Sequence, residues 1–162
     1  MGEYNFKTVW VLDAPIEAVW DAIVASERWP EWWPYLESVV EISKGDFSGI
    51  GSIRRYTWGC SLPYKLDFQI MVTKIERPLN IVGVASGDLE GIGRWILSAE
   101  GGTSTRIEYL LSARSTKPWM NMAAPLLGWF FRWNHNRVMN AGREGLSNYL
   151  RCMEKTVPQG GG

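Results

Sequence analysis

The side chain best suited to chemistry near neutral pH is His135, the only histidine of the chain. On a helical wheel, Phe131 and Met139 fall within about 40° of it, by the 3.6-residue period, and Arg137 falls on the far side. The imidazole therefore belongs to the apolar side of a helix. Three roles are open there: a core side chain bonded to a strand, a polar contact for a ligand, or a proton donor or acceptor.

A tyrosine and three arginines are the next candidates. Tyr109 shares the apolar side of a strand, where its hydroxyl needs a partner, and core packing and cavity lining are both open. Arg54 and Arg55 are adjacent in another strand, so they point to opposite faces. Arg94 is expected to face solvent beside an inward Trp95. An inward arginine would suit an anionic or carbonyl ligand, and exposure on the outer face of the sheet is the alternative.

The sequence lacks the residues that other kinds of catalytic site require. A metal site needs more ligands than a lone histidine supplies, so no metal and no cofactor are expected. No serine or cysteine lies in a nucleophile signature, and the glycines at 87, 91 and 93 are typical of hairpins rather than of a phosphate loop. Cys60 and Cys152 lie far apart and are predicted to be free thiols of a cytoplasmic protein. The N-terminus does not resemble a signal peptide.

The composition is unusual in its aromatic residues. The 162 residues include ten tryptophans, six tyrosines and five phenylalanines, which is more ring volume than a minimal core needs. A wide interior, a cavity or a surface that meets something apolar would account for them. The formal net charge is zero, which argues against a nucleic-acid partner. No acidic residue lies between Glu108 and Glu144, where Arg114, Lys117, Arg132, Arg137 and Arg143 are found.

The elements that must position these side chains follow from periodicity. Residues 3–12 alternate as a strand, and Asp13, as a cap, with Pro15 predicts a helix start. Pro30 and Pro34 limit residues 26–36 to a short helical turn. Residues 37–44, 52–58, 64–76, 80–87, 92–100 and 104–114 are predicted to be strands, with a turn at 59–63. The final helix runs from 117 to about 154 with a kink or restart at Pro125.

This order predicts an α+β fold. A curved antiparallel sheet of about seven strands would wrap around the long C-terminal helix, with two short helices after the first strand. Residues 1–156 would form one domain, and residues 157–162 a disordered tail. Because a half-barrel need not close tightly on its helix, a pocket is expected between them.

Several segments carry a family resemblance. The run DAPIEAVWDAI followed by ERWPEWWP resembles the opening of the START-like helix-grip superfamily, in its bacterial polyketide cyclase/dehydratase-like (SRPBCC) branch. GIGRWIL and GGTSTRIEYLL resemble the last two strands of that branch, and FRWNHNRVMNAGREGL resembles its C-terminal helix. The resemblance implies an apolar cavity between sheet and helix. It transfers no catalytic residue to this chain.

We therefore predict a protein that binds a small hydrophobic molecule, lipid-like or polyketide-like, in that cavity. The predicted lining residues are His135, Tyr109, Trp95, Phe68, Phe131 and Met139. One alternative is a cyclase or dehydratase that uses the same cavity. Another is a membrane-associated lipid carrier or a dimeric interaction module that makes contact through Trp129, Phe130 and Trp133. Those rings lie on the far side of the helix from His135, where the tryptophans at 29, 32 and 33 could also cover them as ordinary core.

Overall fold

The computed structural model describes residues 3–59 and 65–156, which form seven strands, two α-helices and one short 3₁₀ helix. The strands are β1 (Glu3–Leu12), β2 (Leu36–Ser43), β3 (Ile53–Gly59), β4 (Lys65–Glu76), β5 (Asn80–Gly87), β6 (Leu89–Glu100) and β7 (Ser104–Ser115). The helices are α1 (Ile16–Val24), the 3₁₀ helix (Ser26–Glu31) and α2 (Pro118–Thr156). The predicted tail, Cys60 and most of the predicted turn at 59–63 lie outside the described residues.

The strands form one antiparallel sheet in the order β1-β7-β6-β5-β4-β3-β2. Consecutive strands are neighbours, and β1 joins the far edge by pairing with β7. Side chains of even number in β1 and of odd number in β7 face the helices, as the pairing of Trp10 with Ile107 shows. The predicted α+β helix-grip architecture, a curved sheet with a long C-terminal helix, is confirmed.

A cluster of tryptophans joins the 3₁₀ helix to α2. Trp33 packs edge-on against Trp10 at 5.5 Å between ring centroids and donates a hydrogen bond from Nε1 to the carbonyl of Val138 at 2.9 Å. Gly142 and Gly145 of α2 leave room for this contact. A Cβ at Gly142 would overlap the Trp33 ring, and one at Gly145 would overlap the carbonyl oxygen of Trp32. This close approach fixes where α2 lies over the sheet.

Three local expectations differ from the structure. The helix α2 does not restart at Pro125 but continues through it, and the missing N–H falls on an exposed turn where water can satisfy the carbonyl left without a donor. The strand β6 begins at Leu89 rather than residue 92, because Glu90 and Gly91 already pair with β7. Asp13 does not cap α1; its carboxylate accepts a hydrogen bond from Ser104 Oγ at 3.1 Å instead.

None of the helices in the described part of the chain is long and apolar enough to cross a membrane. The described cysteine, Cys152, is an exposed free thiol.

Candidate functional site

The interior contains a cavity with two chambers. The larger one, about 540 Å³, lies beneath α1 and the 3₁₀ helix, and we call it the α1 chamber. The smaller one, about 180 Å³, lies between the sheet and α2, and we call it the α2 chamber. Both chambers share a wall that includes Trp29, Tyr56, Phe68, Trp95, Tyr109 and Leu111. The aromatic surplus of the sequence is thus divided between a packed cluster and the lining of a cavity.

The strands bring the predicted site residues to this cavity. Alternation along β6 and β7 turns Trp95 and Tyr109 inward as a cross-strand pair, with ring centroids 4.3 Å apart. Phe68 of β4 stacks on Tyr56 of β3 at 6.0 Å. These strand residues line both chambers, and the residues of α2 line its own chamber. All six side chains proposed from the sequence therefore border the α2 chamber: His135, Tyr109, Trp95, Phe68, Phe131 and Met139.

The His135 imidazole is held by stacking. Its ring lies 3.9 Å from that of Phe6 with an interplanar angle of 17°. Its Nε2 is buried and has no hydrogen-bond partner among the described residues. Because burial penalises the charged imidazolium, the pKa of His135 is lowered to about 4. At neutral pH the ring is uncharged and can offer a ligand one donor and one acceptor.

This burial predicts a pH-dependent stability. The unfolded chain takes up a proton near pH 6.5, whereas folded His135 resists protonation until about pH 4. The free energy of unfolding keeps its full value above pH 6.5, where His135 is neutral in both states. It falls progressively as the pH drops towards 4, where the loss amounts to roughly 3 kcal/mol. Urea unfolding at a series of pH values should show this loss in the wild type and not in His135→Leu. Superimposable profiles for the two proteins between these pH values would contradict the buried placement.

Tyr109 supplies a second neutral polar group, at the wall between the chambers. Its burial raises the pKa of the phenol well above the usual range, so the hydroxyl keeps its proton. Its hydroxyl oxygen would lie 3.2 Å from a Cβ at Gly93. A glycine at that position leaves space beside a hydroxyl that can donate to a ligand.

Two polar residues that line the α2 chamber were not predicted from the sequence. Asn134 is 8% exposed, and its Oδ1, like the hydroxyl of Tyr4, is buried without a partner in the described residues. The wheel centred on His135 placed Asn134 about 100° away, outside the sheet-facing sector. Since β1 brings Tyr4 and Phe6 against α2, the buried face of the helix extends to Asn134. The alternation of Tyr4 with Phe6 in β1 was a usable signal for Tyr4.

The structure also decides which arginine faces inward. Arg54 shares a face with Tyr56, lines the α1 chamber and donates from Nε to Glu27 at 2.5 Å. Arg55 lies on the opposite face and forms a two-point ion pair with Asp67. Arg94 is exposed, as expected for the neighbour of an inward Trp95. In the described residues, no group of three or more histidine, cysteine or acidic side chains could hold a metal ion.

Several solved structures of other proteins share this fold. No family model and no curated protein matches the sequence. Solved structures do match over nearly the whole chain. A protein from Thermus thermophilus superposes with a TM-score of 0.79 at 16% identity, covering 93% of this chain and 99% of its own. A START superfamily protein from Mycobacterium smegmatis reaches 0.76 at 14% identity, covering 94% and 99%.

A third structure, the Zhui aromatase/cyclase from Streptomyces sp. R1128, has a TM-score of 0.72 at 14% identity and covers 99% of both chains. The chain has the START-like helix-grip fold. The resemblance read from the sequence is confirmed at the level of fold.

One face of this helix-grip protein is left uncovered. On α2, Trp129 is 70% exposed and Trp133 is 48% exposed, with Phe130 between them. The idea that Trp29, Trp32 and Trp33 cover these rings is wrong, because those three tryptophans are buried in the core cluster beneath the other side of α2.

Proposed function

We propose that the protein binds one small hydrophobic molecule, lipid-like or polyketide-like, across the two chambers. The observation that carries this proposal is the shared wall of aromatic and aliphatic side chains, with neutral His135 and Tyr109 beside it. Burial of ligand carbon would drive binding at about 25 cal/mol per Å². The few polar groups would set the orientation of the ligand, as in most small-molecule sites. Similarity to a START superfamily protein supports this function.

The cyclase alternative rests on the similarity to the aromatase/cyclase and on the two polar groups in the cavity. Proton transfer at neutral pH works best with groups whose pKa lies near 7. The pKa of His135 is about 4 and that of Tyr109 lies well above its usual range, so neither group suits that task. We therefore prefer a binding protein over a cyclase that would use these two groups for proton transfer.

Native mass spectrometry of freshly purified protein tests the proposed function. We expect a species heavier than the bare chain by one small apolar molecule, which is released on collisional activation. Extraction into organic solvent would then identify the compound. Bare protein alone, even after incubation with an extract of apolar cell metabolites, would contradict the proposal.

We further propose that the protein works as a carrier that docks on an anionic lipid surface. The docking face is the stripe of α2 formed by the exposed Met122, Leu126, Trp129 and Trp133 together with the half-buried Phe130. Tryptophan and basic residues together suit the headgroup layer, where the rings enter and the charges meet anionic lipid. Arg137 lies 5.5 Å from the Trp133 ring, so a cation adjoins the stripe directly.

Charge favours a membrane over a second copy of the chain as the partner of this face. Residues 109–143 contain no acidic side chain, whereas Arg132, Arg137 and Arg143 all lie there. In a two-fold symmetric dimer the same patch meets itself, so these arginines would face one another without an acid to pair them. An anionic bilayer supplies the missing negative charge.

Vesicle co-sedimentation tests the proposed docking on a lipid surface. Wild-type protein should bind vesicles of phosphatidylglycerol at low salt, and binding should fall as salt rises. The double variant Trp129→Ser, Trp133→Ser should bind about tenfold more weakly or worse, because it loses the apolar area that enters the bilayer. Ile92→Ser removes an exposed apolar side chain from the outer face of the sheet and should bind like wild type.

Two outcomes would contradict membrane docking. One is wild-type protein that ignores these vesicles at low salt. The other is a concentration-dependent doubling of mass by light scattering that the tryptophan variant abolishes, which would assign the stripe to a homodimer.

A further inference from the structure

The charged residues that line the α1 chamber are all of one sign. Within the described residues these are Lys44, Arg54 and Arg77, and no aspartate or glutamate accompanies them in the lining. The rest of that lining is mainly apolar, with three serines. In a protein of zero net charge, this chamber thus combines cationic side chains with an apolar lining.

The three cations differ in how far they are already neutralised. Arg77 is shared between Glu17 and Asp21 at 3.0 and 3.2 Å, and its side chain is 59% exposed to screening solvent. Arg54 is only 20% exposed, uses its Nε on Glu27 and also interacts with the Tyr56 hydroxyl, which leaves part of its guanidinium for a further acceptor. Lys44 forms no ion pair with any described residue and is therefore the uncompensated charge of the group.

The loop that carries Lys44 is preformed. The carboxylate of Asp46 accepts hydrogen bonds from the backbone N–H groups of Ser48 and Ile50 at 2.8 and 3.1 Å, so it is engaged within the loop. Gly45 has a φ of 73°, and a Cβ there would meet the backbone of Ser52 and Ile50. The loop is also fastened to β4, since Gly51 donates to the Val72 carbonyl at 2.7 Å. The backbone at Lys44 thus needs no rearrangement to present its ammonium group.

We propose that the α1 chamber binds amphipathic molecules whose apolar chain lies inside and whose carboxylate pairs with Lys44 and Arg54 at the solvent-facing end. This inference rests on the proposed binding function and narrows its ligand class. A carboxylate accepts two parallel hydrogen bonds from a guanidinium, and the partly buried position of Arg54 protects that interaction from solvent. Lys44 adds the charge that the ligand balances.

Decanoate and decanol test this assignment, since they share a chain length and differ in the head group. We expect wild-type protein to bind decanoate at least about tenfold more tightly than decanol at low salt and mildly alkaline pH. Lys44→Gln and Arg54→Gln should each remove most of that preference and leave decanol binding unchanged. Arg55→Gln is the matched control, because Arg55 is the neighbour of Arg54 on the opposite face.

The outcomes separate this inference from the proposed function. Equal binding of decanoate and decanol would overturn the carboxylate site and leave the hydrophobic cavity standing. An equal loss of preference in Arg55→Gln would also overturn it, by showing a general effect of surface charge. Binding of neither compound would overturn the proposed function and this inference with it. Retained decanol binding in the Lys44 and Arg54 variants shows that these proteins are folded.

Discussion

Replacing Leu111 with tryptophan should abolish ligand binding while the protein stays folded. Leu111 lies on β7 between Phe6 of β1 and Gly93 of β6, and it lines both chambers. A larger ring at this position would fill the passage that a ligand must occupy, and the empty volume would spare the fold most of the usual cost of overpacking. The affinity for N-phenylnaphthylamine, a neutral fluorescent probe, should fall by more than about tenfold.

Leu110→Trp is the control for that substitution. Leu110 is the next residue of the same strand and lies on the outer face, paired with Lys7 and Arg94. The variant has the same composition as Leu111→Trp and places the new ring outside the cavity. It should bind the probe like wild type. Equal affinities for the two variants would show that the probe binds elsewhere on the protein.

The second large effect concerns stability. Gly145→Ala should destabilise the protein by about 2 kcal/mol or more, because the new methyl group would overlap the carbonyl oxygen of Trp32. Helix propensity alone predicts the opposite sign, since alanine is favoured over glycine inside a helix by up to about 1 kcal/mol. The steric term should win because the obstacle is backbone, which cannot rotate away. Urea unfolding measures the difference.

Gly128→Ala provides the comparison within the same helix. Beyond the backbone of its own helical turns and its chain neighbours, nothing among the described residues lies within 4 Å of a Cβ at Gly128, so only the propensity term remains. This variant should be as stable as wild type or more stable, by up to about 1 kcal/mol. If Gly145→Ala proved equally stable, then α2 would not approach the Trp32 carbonyl as closely in solution as the structure shows.

Local pattern was enough to predict most of the architecture. The alternation along residues 3–12 and 104–114 and the turn signals between strands depend on nearest neighbours, so they can be read from a single chain. The exceptions have tertiary causes. Glu90 and Gly91 belong to β6 because they pair with β7. Asp13 does not cap α1, as was expected, because its carboxylate accepts a hydrogen bond from Ser104.

The site was predictable in outline only. Period-two alternation shows that Arg54 and Arg55 face opposite ways, but the choice between them depends on where the sheet curves over α1. The helical wheel correctly placed His135 on the side of α2 that faces the sheet. The width of that buried face, however, depends on contacts with β1, which is far away in sequence and which also buries Asn134. The stacking of Phe6 on His135 and the depressed pKa that burial gives this histidine follow from the same long-range contact.

The proposed function requires that an apolar molecule occupies the cavity beside Trp29 and Trp95. Titration with N-phenylnaphthylamine, while the tryptophans are excited, tests this, because energy transfer reports that the probe has bound and the Leu111→Trp and Leu110→Trp variants distinguish the cavity from the outer surface. We expect saturable binding of one probe per chain, with tryptophan emission falling as probe emission rises, and loss of both signals in Leu111→Trp. Probe emission that never saturates, or tryptophan emission that stays constant during the titration, would contradict it.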